Sequence, residues 1–179
     1  MLNDRLVFKD EHEDKAKKVL ENIVLATEQP SVVCIFGVPG TGKSEIAHLL
    51  HPMLCDHGIC SRIWSLDSYY KIQPDERNAH REKTDIIGVE EIDWARLKAD
   101  RHNRRLGVWR GVDIIEGLYS PVIGCSDMNF FVQGTLNDTY EFRKDRAKEN
   151  PDNNFREYVL AIEELEVMHL GRNNKHVKV

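Results

Sequence analysis

No uninterrupted apolar stretch in this chain approaches the roughly 20 residues needed to cross a bilayer, which argues against a membrane-spanning protein. Positive charge is also scarce. The 25 Lys and Arg are outnumbered by 30 Asp and Glu, for a net charge of -5. A protein built to coat nucleic acid has the opposite balance, so no nucleic-acid partner is expected. The most basic stretch, residues 101–105 (RHNRR), reads as a solvated face or loop. The four cysteines, Cys34, Cys55, Cys60 and Cys125, form no CxxC pair, which disfavours a zinc site. Their apolar or helical contexts suggest buried free thiols. The first residues, MLNDRLVFKDEHEDK, are too charged for a secretory signal, and a cytoplasmic location is expected. Repeats and low-complexity linkers are missing too. With 179 residues and 41% hydrophobic content, the chain suits one compact domain.

Hydrophobic periodicity supplies the elements. Residues 11–28 read as a helix, with Ala16, Val19, Leu20, Ile23 and Val24 on one face and Gln29-Pro30 as the stop. This N-terminal arm (1–30) packs either on its own domain or on a twin subunit, which leaves a homodimer open. Residues 31–36, SVVCIF, are apolar on both faces, as a central parallel strand is. A helix follows to about Asp56, with Pro52 inside it predicting a kink or an early end. Further strands are expected at 61–66, 112–117 and 128–134, with a short fifth in the tail KHVKV. Further helices are expected at 89–100, 137–149 and 154–169. Strands alternating with helices predict an α/β fold with a parallel sheet and helices on both faces.

Between the first strand and the next helix stands GVPGTGKS, residues 37–44. It matches G-x-x-x-x-G-K-[ST], with strand before and helix after. Gly37, Gly40 and Gly42 let backbone N–H groups approach phosphate oxygens. Val38, Pro39 and Thr41 complete the cradle. The following helix adds free N–H groups and its positive dipole end. Lys43 reaches the β- and γ-phosphates, and the Ser44 hydroxyl suits Mg²⁺. The bland reading, a tight strand-to-helix turn, does not explain the lysine and serine.

Three other sites carry chemistry. Asp67 closes the second strand, at the sheet end where ligands of open α/β sheets sit. It is either a base that orients an attacking hydroxyl or a cap on the next turn. Glu116 ends the third strand before Gly117, and is either a Mg²⁺ ligand, directly or through water, or a loop cap. Asp113 opens that strand and is expected to point away from the site. Arg143 and Arg146 share one face of a predicted helix. They close as a lid over the γ-phosphate or bridge to Glu141, Asp145 and Glu149.

Taken in order, these pieces resemble the uridine kinase and phosphoribulokinase group of P-loop kinases. Asp67-Ser68-Tyr69-Tyr70 is similar to that group's D-S-F-Y motif, Glu116-Gly117 to its E-G strand end, and residues 90–94 (EEIDW) to its F-D-W stretch. The resemblance spans roughly residues 31–165. It implies a P-loop NTPase fold, a three-layer α/β/α sandwich with a five-stranded parallel sheet in the order 2-3-1-4-5. It also implies Asp67 as catalytic base, Lys43 as phosphate clamp, and Arg143 and Arg146 in a lid at 137–153.

One departure is visible. The group's longer segment between the D-W helix and the third strand, which helps bind a nucleoside, is cut to about a dozen residues, Arg101 to Gly111. A charged insertion, residues 72–88, stands in its place within an acceptor-side region, 72–110. Its Arg77, Arg81 and Lys83 either contact an anionic acceptor or face solvent. Tyr69, Tyr70 and Trp94 either line the acceptor pocket or pack in the core. The expected activity is transfer of the γ-phosphoryl group of ATP or GTP, with Mg²⁺, to a small-molecule hydroxyl of uridine or another nucleoside or sugar-like compound. The alternative is a nucleotide-responsive interaction protein with no small-molecule acceptor.

Overall fold

A computed structural model of the chain describes residues 5–84, 88–104, 110–134, 139–142 and 176–179. Its frame is a five-stranded sheet of β1 (Val32–Phe36), β2 (Ser61–Ser65), β3 (Val112–Glu116), β4 (Met128–Phe131) and β5 (His176–Lys178). The order is β2-β3-β1-β4-β5 and every pairing is parallel. Both the order and the strand direction match the sequence-based expectation, including the short fifth strand from the tail.

Alternation along the strands divides the core in two. Val33, Ile35, Val112 and Ile114 face a cluster completed by Ala16, Val19, Ile46, Leu50 and Leu54. Val32, Cys34 and Ile115 face the other side, with Leu66, Tyr69, Ile92, Leu97, Tyr119 and Ile123. All five residues of β1 and of β3 are buried, which accounts for their largely apolar character.

Helix α1 (Asp10–Val24) packs on α2 (Lys43–Asp56) of its own domain. It stops four residues short of the expected 28, and Val24 is exposed rather than part of the apolar face. His12 joins Ala16, Val19 and Ile23 on the buried side instead. Pro52 does not end α2. It lies on the exposed face, where the His48 carbonyl that loses its N–H partner can be hydrated.

The charged stretch 72–88 contains a helix, α3 (Pro74–Thr84). The helix expected at 89–100 divides into a 3₁₀ turn, Val89–Glu91, and α4 (Trp94–Arg104). An antiparallel bridge between Tyr70 and Ile92 ties this region to the end of β2. The expectation of a solvated basic run fails at Arg101. Its guanidinium is buried and donates from Nε and Nη2 to Asp113 Oδ2, at 3.2 and 3.1 Å. Asp113 is fully buried at the opposite end of β3 from Glu116 and also accepts from Trp64 Nε1. The cysteine expectation holds for Cys34 alone; Cys55, Cys60 and Cys125 are exposed. Burial pushes the Cys34 thiol up to about 12, so it stays protonated. Among the described residues, no helix is long and apolar enough to cross a membrane.

Candidate active site

The carboxyl ends of β1, β2 and β3 meet at one edge. Ile35 of β1 and Ser65 of β2 both pair with Glu116 of β3. Gly117 then lets the chain leave β3 against Leu66: a Cβ there would lie 2.6 Å from the Leu66 Cβ. The segment carrying Asp67 is thereby drawn onto the end of β3. Asp67 itself is half-buried in a 3₁₀ turn, Leu66–Tyr69.

The glycine loop leads from β1 into α2, and its three glycines do different things. Gly37 passes so close to the end of β4 that a Cβ on it would lie 2.5 Å from the Val132 carbonyl oxygen. Its bareness therefore serves packing between the loop and the sheet, in addition to the approach to phosphate expected from the sequence. Gly40 turns the loop at φ 82°, in the left-handed region. Gly42, also at φ 82°, is the N-cap of α2 and supplies no side chain to the first-turn N–H groups. Those groups and the positive helix end are therefore available to an anion. The loop is held from within. Thr41 Oγ1 donates to the Val38 carbonyl at 2.9 Å, and Lys43 Nζ donates to the same oxygen at 2.9 Å. Lys43 is buried, so its ammonium is retained in the loop rather than spread into solvent.

Ser44 and Glu116 are brought together. The Ser44 hydroxyl donates to Glu116 Oε2 at 3.2 Å, across 72 residues of sequence. Both offer hard oxygen donors of the kind Mg²⁺ selects. Among the described residues no group of three His, Cys, Asp or Glu side chains could hold a metal.

The remaining candidates fall into distinct environments. Tyr69 is buried, and its hydroxyl donates to Asp100 Oδ2 at 3.1 Å, which commits it to the α4 contact. Trp94 donates from Nε1 to the Val89 carbonyl and packs against the second core cluster. Arg81 is neither solvent-facing nor poised for an acceptor: it forms a buried bidentate pair with Glu91 at 2.7 and 2.8 Å. Arg77 is buried over the Tyr70 ring, 3.6 Å from its centroid. Lys83 is exposed. Arg143 and Arg146, with most of the expected lid, lie outside the described residues.

One residue beside the loop escapes a reading of the sequence. His12 of α1 is buried against Gly42, and burial holds its imidazole below the ordinary 6.5. Nothing in the charged context DEHEDK marks it out.

No protein-family model matches the sequence, and no curated protein matches it. Solved structures do. A provisionally assigned fructose transport system kinase from Silicibacter sp. TM1040 superposes with a TM-score of 0.54 at 18% identity, covering 83% of this chain and 94% of its own. A provisionally assigned uridine kinase from Bacillus stearothermophilus superposes with a TM-score of 0.53 at 14% identity, covering 80% of this chain and 96% of its own.

The chain has the P-loop kinase fold. In such a fold the glycine loop, the end of the second strand and the end of the third face one cleft. Here those positions hold Lys43 and Ser44, Asp67, and Glu116.

Proposed function

We propose that the protein transfers the γ-phosphoryl group of ATP or GTP to a hydroxyl of a small molecule, a nucleoside or sugar-like compound. The observation that carries this reading is the 3.2 Å hydrogen bond from Ser44 to Glu116. It joins the hydroxyl at the end of the phosphate loop to the carboxylate of the neighbouring strand, the two protein oxygens a Mg²⁺–nucleotide needs. Asp67 stands at the adjoining strand end, where a switch protein has no use for a carboxylate. The kinase assignments of both similar structures accord with this, one of them naming uridine.

In the reaction, the acceptor hydroxyl loses its proton to the Asp67 carboxylate as its oxygen bonds to the γ-phosphorus. The bond from that phosphorus to the β,γ-bridging oxygen breaks, and the nucleoside diphosphate leaves. Backbone N–H groups of residues 37–44 and the Lys43 ammonium hold the phosphates in line. Ser44 and Glu116 would hold Mg²⁺, which supplies charge neutralisation at the β- and γ-oxygens. Arg143 and Arg146 are assigned to the lid.

Asp67→Asn tests the reading. Nucleotide binding, followed by fluorescence titration, should persist. Phosphoryl transfer, followed by mass spectrometry of a metabolite pool incubated with ATP and Mg²⁺, should fall by about 10²–10⁴-fold. Unchanged turnover would remove Asp67 as the base, and product-free hydrolysis that appears only with a protein partner would favour a switch.

A further inference from the structure

Three arginines are buried among the described residues, and two have carboxylate partners. Arg81 is paired with Glu91, and Arg101 with Asp113. Arg77 is the exception. It is only 8% exposed, its Nε is sealed from solvent, and no hydrogen bond or ion pair to its guanidinium is found among the described residues. What it has is the face of Tyr70, 3.6 Å away. A ring face attracts a cation but satisfies none of its five N–H donors. Buried charges are ordinarily paired, because desolvation without an anion is unfavourable.

Its position gives the unmatched charge a use. Arg77 lies one helical turn before Arg81 on the same face of α3, and the Arg81–Glu91 pair pins that face to the 89–91 turn. Tyr70, on which Arg77 rests, follows Asp67 by three residues. That separation is about 6 Å along a 3₁₀ turn. The guanidinium therefore rests on the ring of a residue that follows Asp67 closely in the chain, and on a different element from the phosphate loop.

We propose that Arg77 binds an oxyanion carried by the acceptor, so that the substrate is an alcohol that also bears a phosphate or carboxylate group. The planar fork of a guanidinium matches either group bidentately, and stacking on Tyr70 holds the fork in one plane. The acceptor role rests on the kinase reading; the anion site does not.

Two measurements separate them. In the first, thermal unfolding is followed with Mg²⁺-ADP saturating the glycine loop while inorganic phosphate or, in a separate arm, acetate is titrated. The wild-type midpoint should rise by about 2–5 °C in one arm, and the responding arm names the group. Arg77→Met keeps an unbranched stem over Tyr70. It should lose the response and, without anion, melt no lower than wild type, since it removes a buried charge that has no anionic partner among the described residues. If it melts several degrees lower and wild type responds to neither anion, Arg77 is a strut and the proposal is overturned. Should Arg77→Met fail to fold, Arg77→Lys reads the same site: it keeps the charge, loses the fork, and should bind the anion at least about tenfold more weakly.

In the second, ATP-dependent product formation is compared for ribose against ribose 5-phosphate and for glycerol against glycerate. The anionic member of a pair should win by about tenfold or more in kcat/KM, and the preference should vanish in Arg77→Met with KM for ATP unchanged. Equal use of neutral and anionic members overturns the proposal. An anion response at Arg77 without transfer to any acceptor keeps the anion site and overturns the kinase reading with its acceptor role.

Discussion

The ring of His12 fills the space beside Gly42: a Cβ built on Gly42 would lie 2.4 Å from His12 Nε2. His12 Nδ1 accepts the Lys9 N–H at 3.2 Å, so the neutral ring carries its proton on Nε2, the nitrogen nearest the loop. Phe142 meets the same ring edge-on, with centroids 5.2 Å apart. Val7 adds a backbone donor to Glu45 Oε1 of α2. The N-terminal arm is thus wedged between the phosphate loop and the helical turn at 139–142.

Gly42→Ala should be severely damaging for two reasons. It places a side chain in the left-handed region, which costs about 1–2 kcal/mol, and it drives a methyl group into His12, which costs about 1–3 kcal/mol more. The expected outcome is a lowered unfolding midpoint and weakened ATP binding. Pairing it with His12→Ala should recover the steric part and leave the backbone part, which urea unfolding of the single and double variants would resolve.

Acid should loosen the same wedge. Burial is the main cause of the lowered His12 pKa, partly opposed by Glu45 and Glu11. The unfolded chain takes up the proton near 6.5, and the folded chain only at lower pH. Between those values the unfolded state binds more protons, so this contribution to stability declines as pH falls below about 6.5. His12→Gln should show a shallower loss of unfolding midpoint between about pH 7 and 5. Parallel curves for the two proteins would remove His12 as the titrating group.

The Arg101–Asp113 pair holds the end of the sheet opposite the active site. Asp113→Ala takes from the buried Arg101 guanidinium its carboxylate and from Trp64 Nε1 the Asp113 acceptor. The expected loss is about 3–5 kcal/mol in chemical denaturation. Arg101→Met takes the guanidinium from the buried carboxylate, which keeps Trp64 Nε1 as a donor, and should cost a similar amount. Combining Asp113→Leu with Arg101→Met removes both charges together and should recover much of the loss.

Glu116→Gln and Lys43→Ala should separate metal from phosphate. Glu116→Gln should keep metal-free nucleotide binding and lower Mg²⁺-dependent transfer by about 10²-fold. Lys43→Ala should weaken nucleotide binding with and without Mg²⁺, and transfer with it. Titrations in Mg²⁺ and in EDTA check both.

The strands are legible in the sequence because the central ones are buried on both faces, and β1 and β3 leave little ambiguity between an apolar run and its role. The glycine loop is legible because its backbone chemistry admits few residue types. What the motif does not reveal is that Gly37 must also clear the Val132 carbonyl, a constraint set by a strand some hundred residues away in the chain. The acceptor side is harder to read. The sequence of α3 has no apolar stripe, and its buried side chains among the described residues are Arg77 and Arg81, whose partners Tyr70 and Glu91 lie elsewhere in the chain. Arg101 deceives for the same reason: a lone basic run looks solvated unless the aspartate in an otherwise apolar strand is recognised as needing a cation. Cys55, Cys60 and Cys125 look buried because apolar neighbours in sequence do not fix which face of an element a thiol occupies.

The stretch from Tyr70 to Asp100 is stitched to itself and to the tip of β2 by the 70–92 bridge, the Arg81–Glu91 pair and the Tyr69–Asp100 hydrogen bond. None of those bonds touches residues 37–44. Under the proposed function, substitutions that retune which molecule is accepted can therefore accumulate in this stretch while the triphosphate grip stays as it is, which would leave donor and acceptor preferences free to evolve separately.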